Sequence, residues 1–303
     1  MIKSVTITNY RSEKKTIVLS DPWSTGVAIT SISGLGPVKA TINMTEIAAM
    51  DGARYNSSRI PARNIVLTFA LDYFPTIEHA RNELYRLFSL KHTVTLEFRT
   101  DIRLYRTTGY VESVEPNIFS SQELVTVSVL CPSPFFEAVD EANDFYGELD
   151  FEHSFEFEFS NESVSAPVIE FGNESSSIDF TVDYKGYSST GLTFHIKIEK
   201  EAPQYSTLTI SKNETGQSIQ IDLTNVPDGV QVDDEFVVCT VPGKKSVSLK
   251  RGNQTYNILN AATIMSGWMI VEPGSNIFNI AVSNIALSCI KLWFDYIPLY
   301  EGL

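Results

Sequence analysis

The residues best able to do chemistry are few and scattered. The four histidines are His79, His92, His153 and His195, each isolated in sequence. His79 falls on a predicted helix and has no second histidine four residues on, so the His-Glu-x-x-His zinc pattern is absent. Packing or surface exposure is the ordinary reading of all four. With 37 acidic residues, carboxylate pairs are inevitable and carry no signal for glycoside hydrolysis. Asp233-Asp234-Glu235 could offer oxygens to calcium, but it lacks the spaced ligand loop and the internal glycine, and it reads as a solvated turn. Ser33-Gly34-Leu35-Gly36-Pro37 holds two glycines yet opens no helix, so it is no phosphate cradle. No serine sits in a Gly-x-Ser-x-Gly elbow. The expectation is therefore a protein with no catalytic centre, metal or cofactor. One binding chemistry stays open. A β-sandwich can present Trp or Tyr as a stacking surface for pyranose rings, and Trp268 and Tyr256 are the candidates. The competing reading places Trp268, between Gly267 and Met269, in the core.

The elements that must position these residues are mostly strands. Val94, Leu96 and Phe98 alternate with polar residues, as do Val125, Val127 and Val129, the period of a half-buried strand. Ile65, Leu67, Phe69, Leu71 and Tyr73 repeat the pattern, and so do Val38, Ala40, Ile42 and Met44. Between the last two runs lies Asp51-Gly52-Ala53-Arg54-Tyr55-Asn56-Ser57-Ser58, rich in turn formers. This predicts a long hairpin over about 38–71, reaching beyond a compact core. One helix is predicted over about 76–89, capped by Thr76, with Ile77, Ala80, Leu84, Leu87 and Phe88 on one face. Gly109 and Pro116 are expected to mark breaks near sheet edges or bulges.

Cys131-Pro132-Ser133-Pro134-Phe135-Phe136 closes the first domain, expected over 1–136, because its prolines interrupt any ladder. Residues 137–162 then carry ten acids and no Lys or Arg. Phe151, Phe155, Phe157 and Phe159 alternate there with Glu152, Glu156 and Glu158, which suits a strand with one solvated acidic face in a connecting segment 137–164. Beyond it, short runs such as Leu192 to Ile198, Ile219 to Leu223, Asn276 to Val282 and Ile290 to Tyr296 are separated by turns such as Pro227-Asp228-Gly229. That spacing predicts an antiparallel β-sandwich over 165–303.

The 303 residues suffice for two domains, and 43% hydrophobic with 20% charged content is that of a folded globular chain. The net charge of −14 is uneven: residues 1–136 hold 14 Lys+Arg and 12 Asp+Glu, whereas 137–303 hold 9 and 25. The acidic second half disfavours tight DNA binding. No apolar run approaches the ~20 residues that span a bilayer, so no membrane insertion is expected. Met1 to Tyr10 lacks the apolar core of a signal peptide. Cys131, Cys239 and Cys289 are distant and odd in number, which predicts reduced cysteines made in a cytoplasm.

Several phrases, in this order, resemble the distal tail protein family of long-tailed bacteriophages. They are Ser33 to Pro37, Asp51 to Arg59, Arg63-Asn64-Ile65-Val66-Leu67, Pro75-Thr76-Ile77-Glu78, Thr107 to Ser120 and Cys131 to Phe136, with Phe294-Asp295-Tyr296 and Tyr300 to Leu303 near the other end. The resemblance implies a mainly β fold with one α-helix, a β-sandwich-like ring domain with a long hairpin, and a galectin-like second sandwich. It implies a virion component made in the bacterial cytoplasm, forming a homo-hexamer between the tail tube protein and tail-tip, tail-associated or receptor-binding proteins, with DNA only in transit. The hairpin would be the arm that reaches a neighbouring subunit, with Asp51, Gly52, Arg54, Tyr55, Asn56 and Arg59 as its contact residues. The galactoside phrases His-x-Asn-Pro-Arg and Trp-Gly-x-Glu are missing, so a protein-docking platform is expected of the second sandwich; a carbohydrate-binding host-recognition adaptor is the alternative.

Overall fold

A computed structural model describes residues 1–48, 51–72, 76–119, 123–139, 145–149, 176–200, 207–263, 266–283 and 287–303. The chain divides into two units, one of residues 1–141 with 299–303, the other of residues 142–298. Both are mainly β, and the first carries the single α-helix among the described residues.

Unit 1 runs β1 (Ser4–Asn9), β2 (Lys14–Val18), β3 (Val27–Ser33), β4 (Thr41–Glu46), β5 (Ala53–Arg59), β6 (Arg63–Leu71), α1 (Ile77–Leu87), β7 (Thr93–Arg99), β8 (Leu104–Asn117), β9 (Leu124–Cys131) and β10 (Phe136–Ala138). Seven of these form one antiparallel sheet in the order β2-β1-β7-β8-β9-β6-β3, with β10 pairing β8. The alternation read from sequence is what the sheet uses. Val94, Leu96 and Phe98 of β7, Val125, Val127 and Val129 of β9, and Ile65, Leu67 and Phe69 of β6 all point into the core, while their neighbours face out. The α1 helix covers that core with Ala80, Leu84 and Leu87, and Phe88 meets Phe69 with ring centroids 5.6 Å apart. Its start is set by Thr76, whose hydroxyl accepts from the His79 amide at 3.2 Å, and Arg86 lies in its last turn, where a cation favours the helix dipole.

Three expectations need correction. The free hairpin is shorter than 38–71, because Arg63–Leu71 is an inner strand of the large sheet and only β4 and β5 stand apart. The turn-like run Ala53–Arg59 is a strand: cross-strand pairing with β4 overrides its weak local preference. Gly109 and Pro116 do not end the strand, since β8 passes through both; the irregularity lies between them, as a register shift between Val111 and Ser113. Gly109 instead allows close approach, because a Cβ there would stand 2.8 Å from the Leu130 carbonyl oxygen.

Unit 2 contains β11 (Tyr146–Leu149), β12 (Ser177–Tyr184), β13 (Leu192–Ile198), β14 (Thr207–Lys212), β15 (Ser218–Asp222), β16 (Glu235–Cys239), β17 (Ser246–Arg251), β18 (Gln254–Asn257), β19 (Gly274–Val282) and β20 (Ile290–Tyr296). One sheet runs β11-β20-β13-β16-β17-β18 and the other β12-β19-β14-β15, all neighbours antiparallel. Aromatic side chains join the sheets. Phe180 of β12 stacks on Phe294 of β20 at 5.9 Å, and Phe194 of β13 meets Phe278 of β19 edge-on at 5.5 Å. This is a two-sheet antiparallel sandwich. The chain then returns to unit 1, where β21 (Leu299–Tyr300) pairs with β10. The expected second domain had included these last residues, and the expected first domain had stopped short of β10's last two residues. The acidic run Asp150 to Glu162, with its four phenylalanines and His153, lies outside the described residues. Cys131, Cys239 and Cys289 are free thiols, and Cys131 is fully buried.

Candidate functional site

The β4–β5 hairpin is the part of unit 1 that its own core does not explain. Among the described residues its two strands pair only with each other, and every residue of both is exposed. The pairing register, with an irregularity between Asn43 and Met44, sorts the side chains into two faces. Ile42 stands opposite Ser58, and Met44 opposite Tyr55, whose hydroxyl lies 2.9 Å from the Ser58 hydroxyl. On the other face Asn56 donates to the Thr45 hydroxyl at 2.6 Å, beside Arg54. One face is therefore apolar and the other polar, yet Ile42, Met44 and Tyr55 are 55%, 55% and 60% exposed. A lone two-stranded ribbon is marginal in water, and both of its edges present unpaired backbone groups.

The six residues singled out from sequence all fall on this arm. Asp51 and Gly52 lie in the connection, where Gly52 has φ +92°, a conformation that disfavours any side chain. Arg54, Tyr55, Asn56 and Arg59 lie on β5. Ile42 and Met44 complete the apolar face. Their signal in the sequence was the same alternation that marked the core strands, which does not tell an inward face from an unpartnered outward one.

Tyr256 and Trp268 lie on different segments of unit 2. Tyr256 is on β18, the edge of the six-stranded sheet, and its hydroxyl donates to the Gln254 side-chain oxygen. Trp268 is half-buried in a segment whose Gly267 amide bonds to Ser218 of the other sheet, and the Lys245 ammonium sits 5.6 Å from its ring centroid. Full core burial, the competing expectation for Trp268, is not found; the core place is taken by Met269.

The outward face of the six-stranded sheet holds a cluster that spacing in sequence concealed. His195 of β13 lies between two carboxylates: Nδ1 is 2.7 Å from Glu235 Oε1 on β16, and Nε2 is 3.0 Å from Asp295 Oδ1 on β20. Trp293 stacks on its ring at 5.2 Å, nearly parallel. Lys250 of β17 binds Glu235 at 2.8 Å. Two carboxylate acceptors require both ring nitrogens to donate, so the arrangement suits the imidazolium. Burial alone would lower the His195 pKa, but Asp295 and then Glu235 outweigh it and hold it above the ordinary 6.5. For Glu235, burial acts upward, and Lys250 with His195 prevails and lowers it. Both ring nitrogens are engaged by acceptors, which leaves no lone pair for a metal or for general-base work. Among the described residues no three His, Cys, Asp or Glu side chains gather as a metal site.

The raised His195 pKa has a definite sign. The folded state holds this proton more tightly, so the stabilisation is full below the unfolded value near 6.5 and is lost as pH rises through the folded value. We expect the melting temperature of unit 2 to fall as pH is raised from about 6, and His195→Gln to flatten that slope. A titration that is unchanged in the variant would contradict the bridge.

Asp233-Asp234-Glu235 is not a solvated turn throughout. Asp233 is exposed and pairs with Lys197 at 2.7 Å, and Glu235 belongs to the His195 cluster. Asp234 is fully buried, bound by Arg251 through Nε and Nη2 at 2.7 Å each and by the Gln231 amide at 2.8 Å. Each acid already has its own cation, which explains why the three do not converge.

Residues 15–131, most of unit 1 and including the arm, match the family described as the phage tail protein RIFT-related domain. Unit 1 is thus similar to a phage tail protein domain. The chain as a whole has the fold of a phage distal tail protein: it superposes on the crystal structure of SPP1 Dit (gp 19.1), described as a paradigm of the hub adsorption apparatus in phages infecting Gram-positive bacteria, with a TM-score of 0.66 and 12% identity over 97% of this chain and 98% of that one. A weaker likeness, TM-score 0.47 and 15% identity over 98% and 99% of the two chains, is to the phage P2 baseplate in its activated conformation with Ca. A search of curated proteins finds no match. No helix among the described residues is long and apolar enough to cross a membrane.

Proposed function

We propose that this protein is a non-enzymatic structural hub of a phage tail, present in the virion at the tail tip. Unit 1 closes a homo-hexameric ring beneath the tail tube protein, and the β4–β5 arm of each copy lies on the next. The observation that carries this reading is the arm itself: a strand pair that is wholly exposed, amphipathic and unpaired with any other sheet, in a domain of the phage tail family. A contact in which one copy's arm engages a different patch on its neighbour is heterologous, and heterologous contacts close into rings when the rotation permits. Asp51, Gly52, Arg54, Tyr55, Asn56 and Arg59 are the assembly residues, joined by Ile42 and Met44. The sandwich of unit 2 is the docking platform for tail-tip, tail-associated or receptor-binding proteins. DNA crosses the ring only in transit.

Solution mass tests the ring. The full chain alone is expected near six times 33.8 kDa, and a complex with its tail tube protein is expected to contain six copies of it. A monomer at high concentration that forms no ring even with tube protein would end the hub reading.

A further inference from the structure

Among the described residues the arm bonds to no other strand and is held at its base, which is built around one buried cation. Arg63, the first residue of β6, is 1% exposed. It follows the end of β5 by four residues. Its guanidinium donates to the carbonyls of Gly34 and, at 2.8 Å, Gly36, which precede β4, so it ties together the two stalks of the arm. It also donates to the Pro134 carbonyl at 2.9 Å and to the Glu301 carbonyl, and it lies 4.3 Å from the centre of the Phe136 ring. All four acceptors are main-chain carbonyls, a use suited to a planar fork of donors and poorly served by a lysine. Gly34 has φ +83°, and a Cβ there would stand 2.0 Å from the Asn64 carbonyl oxygen, so the stalk touches the start of β6 directly. Residues 299–303 close the base from the other side. The Leu303 amide donates to the Leu35 carbonyl at 3.1 Å. A Cβ on Gly302 would come within 3.1 Å of both the Leu35 carbonyl oxygen and the Pro37 ring. Their position is fixed by the pairing of Tyr300 with Phe136 and by the Arg103 guanidinium, which donates to the Tyr300 hydroxyl at 2.8 Å.

We infer that Arg63 and residues 299–303 form a latch that clamps the base of the β4–β5 arm and orders it for contact with another copy of the chain. The Ser33-Gly34-Leu35-Gly36-Pro37 run, which served no phosphate, is the socket of this latch. Because the chain re-enters unit 1 at Leu299 directly after leaving unit 2, the arm's order depends on residues far along the sequence. Arg63 is a positioning residue, and its role in assembly rests on the arm reading proposed above.

The test uses the full chain carrying Gly302→Val or Arg63→Lys, with amide hydrogen exchange followed at concentrations where the protein is monomeric and association measured separately. Gly302→Val leaves Arg63 and its other carbonyl partners in place, so it keeps the test open if Arg63→Lys does not fold. Exchange in residues 36–46 and 53–62 is expected to rise at least tenfold, with the amides of β7 and β9 unchanged. Association should weaken by a similar factor. Unchanged exchange in the arm would overturn the latch, and so would an equal rise in β7 and β9, which marks a general stabiliser. Faster arm exchange with undiminished association supports the latch and counts against the arm as the assembly element.

Discussion

Replacing Ile42, Met44 and Tyr55 together by threonine is expected to leave a folded monomer that no longer assembles. The three side chains touch no core of their own chain and are all more than half exposed, so their loss removes nothing from the fold. Threonine keeps a strand preference, which protects the β4–β5 pairing. In the assembly the same three side chains would give up the rest of their water-exposed apolar surface. At roughly 1.5–3 kcal/mol for full burial of each, the half still exposed gives about 3–4 kcal/mol in total, or two to three orders of magnitude in association. Analytical ultracentrifugation of wild type and variant, with circular dichroism as the fold check, reads both halves of the expectation. Undiminished association would remove the arm from the assembly mechanism. Replacing Arg54 and Arg59, on the polar side, should cost far less, because exposed charges at a rim are screened and weakly bound.

The second large effect concerns stability. Arg251→Met is expected to destabilise unit 2 by about 3–5 kcal/mol, because it leaves the carboxylate of Asp234 buried without its cation. The wild-type geometry explains the size. Asp234 is fully buried, and Arg251 meets both of its oxygens while also bonding the carbonyls of Pro227 at 3.1 Å and Gly229 at 2.6 Å. The pair thus fastens the turn at 227–231 to the end of β17 and the start of β16. Methionine fills similar volume but offers no donor. Adding Asp234→Asn to Arg251→Met removes the unpaired charge, so the double variant should recover part of the loss. Urea unfolding followed by exchange of the β16 and β17 amides isolates unit 2 from unit 1. A loss below about 1 kcal/mol would show that water reaches the site and the pair is a surface one.

Much of the fold was legible because its signals are local. The α1 helix begins at Thr76 since a hydroxyl there meets an orphan amide, and both partners are three residues apart in sequence. β7, β9, β13 and β20 announced themselves by period two, since one face of each is buried. Where the reading failed, a non-local partner had decided. Ala53–Arg59 carries turn-forming residues and became a strand only because β4 lies beside it. Arg63, though part of a phrase that carried the resemblance, gave no signal of its contacts, as its four acceptors come from residues 34, 36, 134 and 301. His195, Glu235 and Asp295 are separated by 40 and 60 or more residues and meet because β16, β13 and β20 are neighbours in one sheet.

By itself, then, the sequence determined the secondary-structure periods, the α1 helix with its cap, the absence of recognisable catalytic spacing and the asymmetric charge. Each of these depends on residue type and short-range spacing alone. Tertiary structure decided which alternating strand is core and which is arm. Ile42-x-Met44 and Ile65-x-Leu67 share one pattern, yet the first pair stands in water and the second is fully buried. Hydrophobic spacing reports that a face must be covered, and only the arrangement of the other strands reports what covers it. It likewise decided that Asp234 is buried against Arg251 while its neighbour Asp233 remains in solvent, because the cost of desolvating a carboxylate is met only where a distant cation arrives beside it.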